Sequence, residues 1–378
     1  MDDKTKEELA YDGPNSKVTD KFPCTNCGAN LTYKPGTTHL KCEFCQTENE
    51  IPKIEGDVAE QDFTSFLEQE STSAPKLSVS TVNCHNCGAT TTVEAHLQTA
   101  DCPYCASPLV LAERKEENLI RPGGILPFKI KREETLKIFQ NWLKKLWFAP
   151  SKLKHAVNTV DAFKAMYVPY WTFDSFCDCN YAGMRGTYYY VTETYTATEN
   201  GRTVTRTRQV RKTRWTPCSG KVTNAFDDVL VLASKNLPQK DIDSLEPWDL
   251  KQNEPFNDAY LSGIITEKYQ VTLKDGFGIG KGKMDNVMSG IVKKDIGGDE
   301  QRILSMHPIY SKITFKLLLL PLYISAYKFK GKLYNVYVNG RTGKMKGQRP
   351  IAWGKVALLV ISIIAVIVTL YLIFGNKN

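Results

Sequence analysis

Histidine is scarce in this chain of 378 residues, and its five histidines do not pair at the spacing of metal ligands. A His-Glu-x-x-His zinc site is therefore excluded. The Gly-x-Ser-x-Gly elbow of serine hydrolases is also missing. A glycine-rich stretch, Gly276 to Gly280, is one spacer residue short of a Walker A loop, and Gly282 follows its lysine where Ser or Thr would bind magnesium. These absences predict a protein that is not an enzyme and has no small-molecule substrate.

Positive charge is scarce in the first third of the chain. Residues 1–115 contain 10 Lys and Arg against 18 Asp and Glu, a net charge of −8, whereas residues 116–378 contain 39 against 23, a net charge of +16. A nucleic-acid-binding surface needs positive charge to displace counterions from phosphate, so nucleic acid is disfavoured as a partner of the first region. Residues 1–20 are polar and acidic, and we expect a disordered start without a signal peptide.

Cysteine, in contrast, follows a rule that the chain uses twice. Two copies of Cys-x2-Cys-x14-Cys-x2-Cys lie sixty residues apart, formed by Cys24, Cys27, Cys42 and Cys45 and by Cys84, Cys87, Cys102 and Cys105. Two thiolates on one tight turn bind one side of a metal ion, and a second turn completes a tetrahedron. Gly28 and Gly88 follow the first pair of each copy, where the turn needs a residue that tolerates positive φ. The spacing predicts zinc ribbons at residues 21–54 and 81–112 with two zinc ions; iron or structural disulfides are the alternatives.

Zinc thiolates must stay reduced, so we expect the ribbons to lie in the cytosol. Three further cysteines, Cys177, Cys179 and Cys218, do not complete another site, because Cys-x-Cys is too short for a zinc knuckle. We expect them to be thiols of a folded domain. Residues 55–80, between the ribbons, are acidic and rich in Ser and Thr, which is typical of a linker.

One long apolar run, VALLVISIIAVIVTLYLIF, occupies residues 356–374 and has no charged residue. As an α-helix it extends about 28 Å, close to the thickness of a bilayer core. Five Lys and Arg lie within residues 341–355, and Lys377 alone follows the run. This asymmetry places the preceding domains in the cytoplasm. We therefore expect a single-pass protein of the cell membrane with a C-terminal transmembrane helix at residues 355–374.

The region between the ribbons and the anchor, residues 116–350, is predicted to be a β-rich α+β cytoplasmic domain. Apolar residues at helical spacing predict one amphipathic helix, with Glu133 and Glu134 in its first turn and Lys144 and Lys145 near its end. We expect this helix to pack on the domain core; a position on the membrane surface is the alternative.

Residues 187–214 are rich in Tyr, Val and Thr around Asn200-Gly201, a strong two-residue turn signal. The resulting hairpin pairs Glu199 with Arg202 and Glu193 with Arg208. We expect three other basic residues to lack an acidic residue directly opposite and to be available to anionic lipid or an acidic protein: Arg206, Lys212 and Arg214. A solvated sheet face is the alternative.

Several longer motifs accompany the cysteines. They are ILPFKI at 125–130, WLKKLWFAP at 142–150, YVPYWTFD at 167–174, DIGGD at 295–299, LLLLPLYI at 317–324 and VYVNGRTGKMKGQRP at 336–350. This combination resembles a bacterial family of membrane-anchored double-zinc-ribbon proteins, often labelled primosomal protein N′-like or replisome-organiser-like. The resemblance implies the eight cysteines as metal ligands, no catalytic residue, and flotillin-like or phage-shock-type membrane-stress proteins as partners.

The helicase-like label has no support in the residues, because the nucleotide-binding loop is missing and the ribbon region is acidic. We therefore expect a non-enzymatic, membrane-anchored zinc-ribbon scaffold or adaptor that recruits protein partners at the cytoplasmic membrane face during membrane stress. The alternative is a membrane-tethered nucleic-acid-binding protein linked to replication, which would use the Arg-rich hairpin.

Overall fold

The computed structural model describes residues 22–69, 76–93, 100–146, 163–199, 202–329, 332–350 and 352–374. Residues 1–20, for which the sequence predicts disorder, lie outside the described residues. The described strands are β1 (Leu31–Tyr33), β2 (His39–Cys42), β3 (Glu48–Glu50), β4 (Gln61–Asp62), β5 (Lys76–Asn83), β6 (Thr90–Thr92), β7 (Lys115–Ile120), β8 (Gly124–Ile125), β9 (Lys164–Glu199), β10 (Arg202–Leu232), β11 (Glu254–Pro255), β12 (Ile265–Glu267), β13 (Glu300–Phe329), β14 (Lys332–Asn339) and β15 (Met345–Gly347). The helices are α1 (Phe63–Gln69), α2 (Arg132–Lys145), α3 (Gln239–Asp243), α4 (Leu273–Ile296) and α5 (Trp353–Phe374).

Three long antiparallel strands organise the molecule: β9 with 36 residues, β10 with 31 and β13 with 30. β9 lies between the other two. Both neighbours carry a bulge at the same level of β9, beside Asp174, and Asp228 and Lys312 in these bulges have positive φ values of 50° and 51°. The Asp228 amide donates to the Asp174 carboxylate at 2.6 Å. Because bulges bend and twist a strand, this level divides the sheet into two parts. The broad part that contains the start of β9 is here called the lower sheet, and the narrow part towards Glu199 is called the upper part.

The lower sheet is assembled by short strands that add to β9 and β13. Its order is β11-β8-β13-β9-β12-β6-β5-β7, with β14 and β4 also paired to β13 and β15 paired to β14. The largest fully buried side chains are aromatic and lie in this part, and they include Trp171, Tyr167, Tyr323 and Phe139. The sequence prediction of a β-rich body with one amphipathic helix is confirmed, since α2 buries Thr135, Phe139 and Leu143 against the core.

The glycine-rich stretch that falls short of a phosphate loop lies inside α4. A Cβ at Gly276 would lie 2.7 Å from Trp171 Cδ1, and one at Gly280 would lie 3.1 Å from Phe173. These glycines let the helix approach the sheet closely. Further along, Met284 and Met288 pack on Cys177 and Cys179 of β9, so these two thiols belong to the helix–sheet core.

The cysteine-rich regions are continuous with the body. β5 pairs with β7, and β6 pairs with β12, so strands of the second ribbon extend the large sheet. The first ribbon forms a separate sheet of β1, β2 and β3, whose Leu31 and Leu40 join the same core cluster as Val336 of β14.

The segment predicted to be a linker, residues 55–80, contains ordered elements in its described part. β4 pairs with β13, and α1 packs Phe63 and Phe66 on Phe315 at ring-centroid distances of 6.5 and 4.9 Å. The acidic composition of this segment predicts a linker, but two aromatic side chains are sufficient to attach it to the sheet.

The register of the predicted hairpin is confirmed. Glu199 is opposite Arg202, and Glu193 is opposite Arg208. Tyr189 is directly opposite Lys212, as expected, but the expectation that Lys212 is available to another partner is wrong, because its Nζ lies 3.0 Å from Glu193 Oε1. The turn itself, Asn200-Gly201, lies outside the described residues.

The C-terminal helix α5 is long and apolar enough to cross a bilayer, and none of the span 353–372 is buried in the protein. Its serine and threonine side chains bond to the helix backbone: Ser362 Oγ donates to Leu358 O at 2.9 Å, and Thr369 Oγ1 donates to Ala365 O at 2.8 Å. Such internal bonding satisfies polar groups that an apolar solvent could not.

Candidate metal centres

The first cysteine cluster is built by two tight turns. Cys24 and Cys27 lie on the turn before β1, where the Gly28 amide donates to Cys24 O at 2.9 Å. Cys42 ends β2, and the Gln46 amide donates to Cys42 O at 3.0 Å. The pairing of β1 with β2 brings the two turns together.

The second cluster repeats this construction. The Gly88 amide donates to Cys84 O at 2.8 Å, and the Ala106 amide donates to Cys102 O at 3.0 Å. The first turns use glycine at φ values of 72° and 75°, as the sequence predicts. The second turns place Gln46 and Ala106 at φ values of 63° and 58°, which the sequence does not signal, since neither residue favours that conformation.

The eight sulfur atoms form two compact tetrads. In each tetrad all four ligand atoms lie within 4.8 Å of one another. Two sulfur pairs of the first tetrad, Cys24–Cys45 and Cys27–Cys42, are separated by 3.5 Å, and two of the second, Cys84–Cys105 and Cys87–Cys102, by 3.6 Å. A tetrahedral ion with metal–sulfur bonds near 2.3 Å separates its ligands by about 3.8 Å, so the described residues fit such an ion.

The sulfur atoms of one tetrad cannot all ionise without a cation. Hydrogen bonding from the Thr47 side chain and backbone lowers the pKa of Cys45 to about 5. At Cys27 the Ala29 amide favours the thiolate, but the neighbouring Cys45 and Cys42 sulfurs outweigh it and raise the pKa to about 12. A bound divalent cation would remove this repulsion and hold all four as thiolates.

The two ribbons differ at one equivalent position. Tyr104, inside the second cysteine pair of the second ribbon, is 5% exposed and packs in the core of the body. Phe44, at the same place in the first ribbon, is 82% exposed. Glu43 beside it, and Glu48 and Glu50 on β3, are exposed as well. The second ribbon therefore uses its aromatic residue to dock on the body, and the first ribbon leaves its counterpart in solvent.

Beneath the second ribbon lies a buried carboxyl group that the sequence does not reveal. Glu267 of β12 is 2% exposed. Its Oε1 accepts hydrogen bonds from Ser234 Oγ at 2.6 Å and Asn236 Nδ2 at 2.7 Å, whereas its Oε2 has no partner among the described residues. Burial raises the pKa of Glu267 to about 7, although these donors act in the opposite direction. Tyr104, whose pKa burial also raises, lies beside it.

Histidine remains outside both tetrads. His85 lies within the first turn of the second ribbon, but its Nε2 contacts Glu113 Oε2 at 2.8 Å rather than the sulfur cluster. Cys218 is half-buried and packs at the margin of the α4 core. Among the described residues, the metal-binding groups are therefore the two cysteine tetrads that the spacing predicts.

Comparison with known proteins places few constraints on this chain. No family model matches it, and no solved structure matches it. The uncharacterized protein YdjG of Bacillus subtilis (strain 168) is similar, with 25% identity over 338 residues, which cover 89% of this chain and 92% of that protein. The similarity therefore extends over most of both chains.

Proposed function

We propose that this protein is a non-enzymatic scaffold or adaptor, anchored in the cell membrane by α5, whose two zinc ribbons and β-rich body lie in the cytoplasm and recruit protein partners there. The observation that carries the proposal is Phe44, a large apolar side chain left 82% exposed on a ribbon whose twin buries the equivalent residue. An exposed aromatic side chain on a rigid turn is a typical anchor of a protein interface.

Zinc is the proposed metal, one ion in each tetrad. Four cysteine ligands close the coordination sphere and leave no position for water or substrate, which is characteristic of structural rather than catalytic zinc. Sulfur separations of 3.5–3.6 Å are much longer than the S–S bond of a disulfide, about 2.05 Å, which supports metal over cross-links. The ions would fix the turns that present Phe44 and Tyr104.

Membrane attachment rests on the character of α5. A helix of 22 residues extends about 33 Å and matches a bilayer core in length. In water its apolar surface would be a strong aggregation site. The basic residues that precede it favour the orientation with the body in the cytoplasm.

The chemistry around Phe44 indicates the kind of partner. Glu43 precedes Phe44 in the chain, and Glu48 and Glu50 are exposed on β3 of the same ribbon, so the first ribbon presents negative charge. A complementary surface would offer an apolar pocket bordered by Lys or Arg. Membrane-stress proteins of the flotillin or phage-shock type are the class of partner that the family resemblance implies.

The test compares proteins that co-purify with the full chain from detergent-solubilised membranes. Phe44→Ser is the test variant, and Val110→Ser, which removes another exposed apolar side chain five residues after Cys105, is the matched control. We expect the recovered amount of the main partner to fall by at least about tenfold with Phe44→Ser, the loss typical of an interface anchor. With Val110→Ser the recovered amount should be unchanged. Equal recovery from all three forms would contradict the proposal.

A further inference from the structure

The upper end of the long hairpin projects beyond the rest of the sheet. Pairing between β13 and β9 ends at Glu300 opposite Gly186, and the Tyr188 amide then donates to the Asp299 carboxylate at 2.7 Å. Residues 187–199 and 202–214, here called the arm, pair with each other. At about 3.3 Å per residue the arm is about 43 Å long. Within the described residues, no third strand pairs with either outer edge of the arm.

The two faces of the arm have different chemistry. The register places five basic residues on the face that continues the α4 side of the sheet: Arg202, Arg206, Arg208, Lys212 and Arg214. The opposite face presents exposed threonines: Thr192, Thr194, Thr196, Thr198, Thr203, Thr205 and Thr207. Residues 187–214 contain six Lys and Arg and two Glu, a net charge of +4. The arm is thus a cationic ribbon with two accessible main-chain edges.

Several guanidinium groups of the arm are held in position by tyrosine rings. Arg214 lies 5.4 Å from the ring centroid of Tyr189, and Arg208 lies 5.6 Å from that of Tyr195. On the other face, Arg211 lies 4.2 Å from the Tyr188 ring. These contacts reduce the conformational entropy that the arginines would lose on binding. Tyrosine and arginine are also the residue types that contribute most at protein interfaces.

The arm and the membrane anchor lie at opposite ends of β9. β14, which leads through β15 towards α5, pairs with β13 where Ile324 is opposite Lys164, the first residue of β9. The arm begins 23 residues further along, about 76 Å at the rise of a strand. Contact between the arm and the bilayer that holds α5 would require the whole molecule to lie flat.

We propose that the arm binds an acidic polypeptide segment, which adds to it in extended conformation as a third strand. Main-chain hydrogen bonds at an open strand edge fit a polypeptide, whereas nucleic acid and lipid cannot supply them. The basic face selects acidic side chains on the incoming strand. Pairing of two arms from different copies is disfavoured, because it would bring arginine rows of like charge together.

The test uses the full chain in nanodiscs of neutral lipid and a fluorescent peptide of thirteen residues with Glu at alternate positions and Val between them. Arg206→Gln with Arg214→Gln removes two charges from the arm. The matched control, Lys293→Gln with Lys294→Gln, removes two exposed charges from α4. We expect the arm variant to weaken peptide binding by about tenfold and the control to leave it unchanged. Circular dichroism and the thermal midpoint verify that both variants are folded.

Two further probes test how the peptide binds and which class of partner the arm prefers. A peptide methylated on alternate backbone nitrogens should lose at least about tenfold in affinity, since it cannot complete the strand ladder. Equal affinity of the methylated peptide, or of the arm variant, would overturn the proposal. Two results would overturn the assignment to a protein partner. One is tighter binding of single-stranded DNA than of the acidic peptide, and the other is binding of the arm to phosphatidylglycerol vesicles but not to the peptide.

Discussion

At the scale of single residues, the least expected feature is a carboxyl group sealed beneath the second ribbon. Burial raises the pKa of Glu267 to about 7 from an ordinary value of 4.5. The Ser234 hydroxyl and the Asn236 amide both donate to its Oε1. Between these pKa values the folded protein holds a proton that the unfolded chain has released, so stability falls as the pH rises through this window.

Replacing this residue should remove that pH dependence. Glutamine has the same shape as glutamate and does not ionise. The free energy of unfolding of Glu267→Gln should therefore rise by about 1–3 kcal/mol relative to that of the native chain as the pH increases from 5.5 to 8. Thermal unfolding of the zinc-loaded full chain in detergent measures the difference. Glu116→Gln, exposed on β7, is the control. A difference between Glu267→Gln and the native chain that is constant over this pH range would show that Glu267 does not titrate there.

At the scale of elements, the sequence predicts what is decided locally. Cysteine spacing predicts both tetrads, Asn200-Gly201 predicts the register of the hairpin, and helical periodicity predicts α2. The extension of β9 to 36 residues and the pairing of β6 with β12 escape prediction. The pairing of β9 with β13 and of β6 with β12 joins segments more than a hundred residues apart in the chain, which no local pattern records. Pro321 is opposite Tyr167 of β9 and so lies inside the sheet, although proline in a sheet normally occurs at an edge or a bulge.

The position of Pro321 in an interior strand has a physical explanation. Its carbonyl oxygen accepts from the Gly340 amide, so its nitrogen points to that same side. On that side the neighbour of β13 changes from β8, which pairs up to Leu319, to β14, which pairs from Leu322. The missing N–H therefore falls in a gap between two short strands.

The glycines of α4 allow a sharp test of helix–sheet packing. Alanine normally stabilises a helix interior by about 1 kcal/mol relative to glycine, and Gly278→Ala should do so because nothing lies within 4 Å of its Cβ. Gly276→Ala should instead destabilise by about 1–3 kcal/mol, because its Cβ meets Trp171 at 2.7 Å. Denaturant unfolding of the two variants compares them directly, and the same sign for both would contradict the close packing of α4.

At the scale of the whole molecule, the two proposed partner surfaces lie at opposite ends of β9. The lower end holds the ribbons and the start of α5, and the upper end holds the arm. This arrangement would place one partner surface, around Phe44, near the membrane and a second far from it. The acidic ribbons and the basic arm are thereby separated in space, which the division of charge along the sequence only suggests.

The orientation of this arrangement can be tested on intact cells. A membrane-impermeant maleimide should label Asn378→Cys and should not label Asp2→Cys, because the basic residues before α5 favour the cytoplasm. The native cysteines should stay unlabelled until the cells are permeabilised. The reverse pattern would place the ribbons outside the cell, where their thiolates would oxidise.

The claim on which the account most depends is that each cysteine tetrad holds one zinc ion. Metal analysis of the full chain, purified in detergent without chelator, tests it most directly. We expect about two equivalents of zinc, and the loss of one equivalent in Cys42→Ser and of a different one in Cys102→Ser. One equivalent or none in the native chain, or iron in place of zinc, would contradict the account.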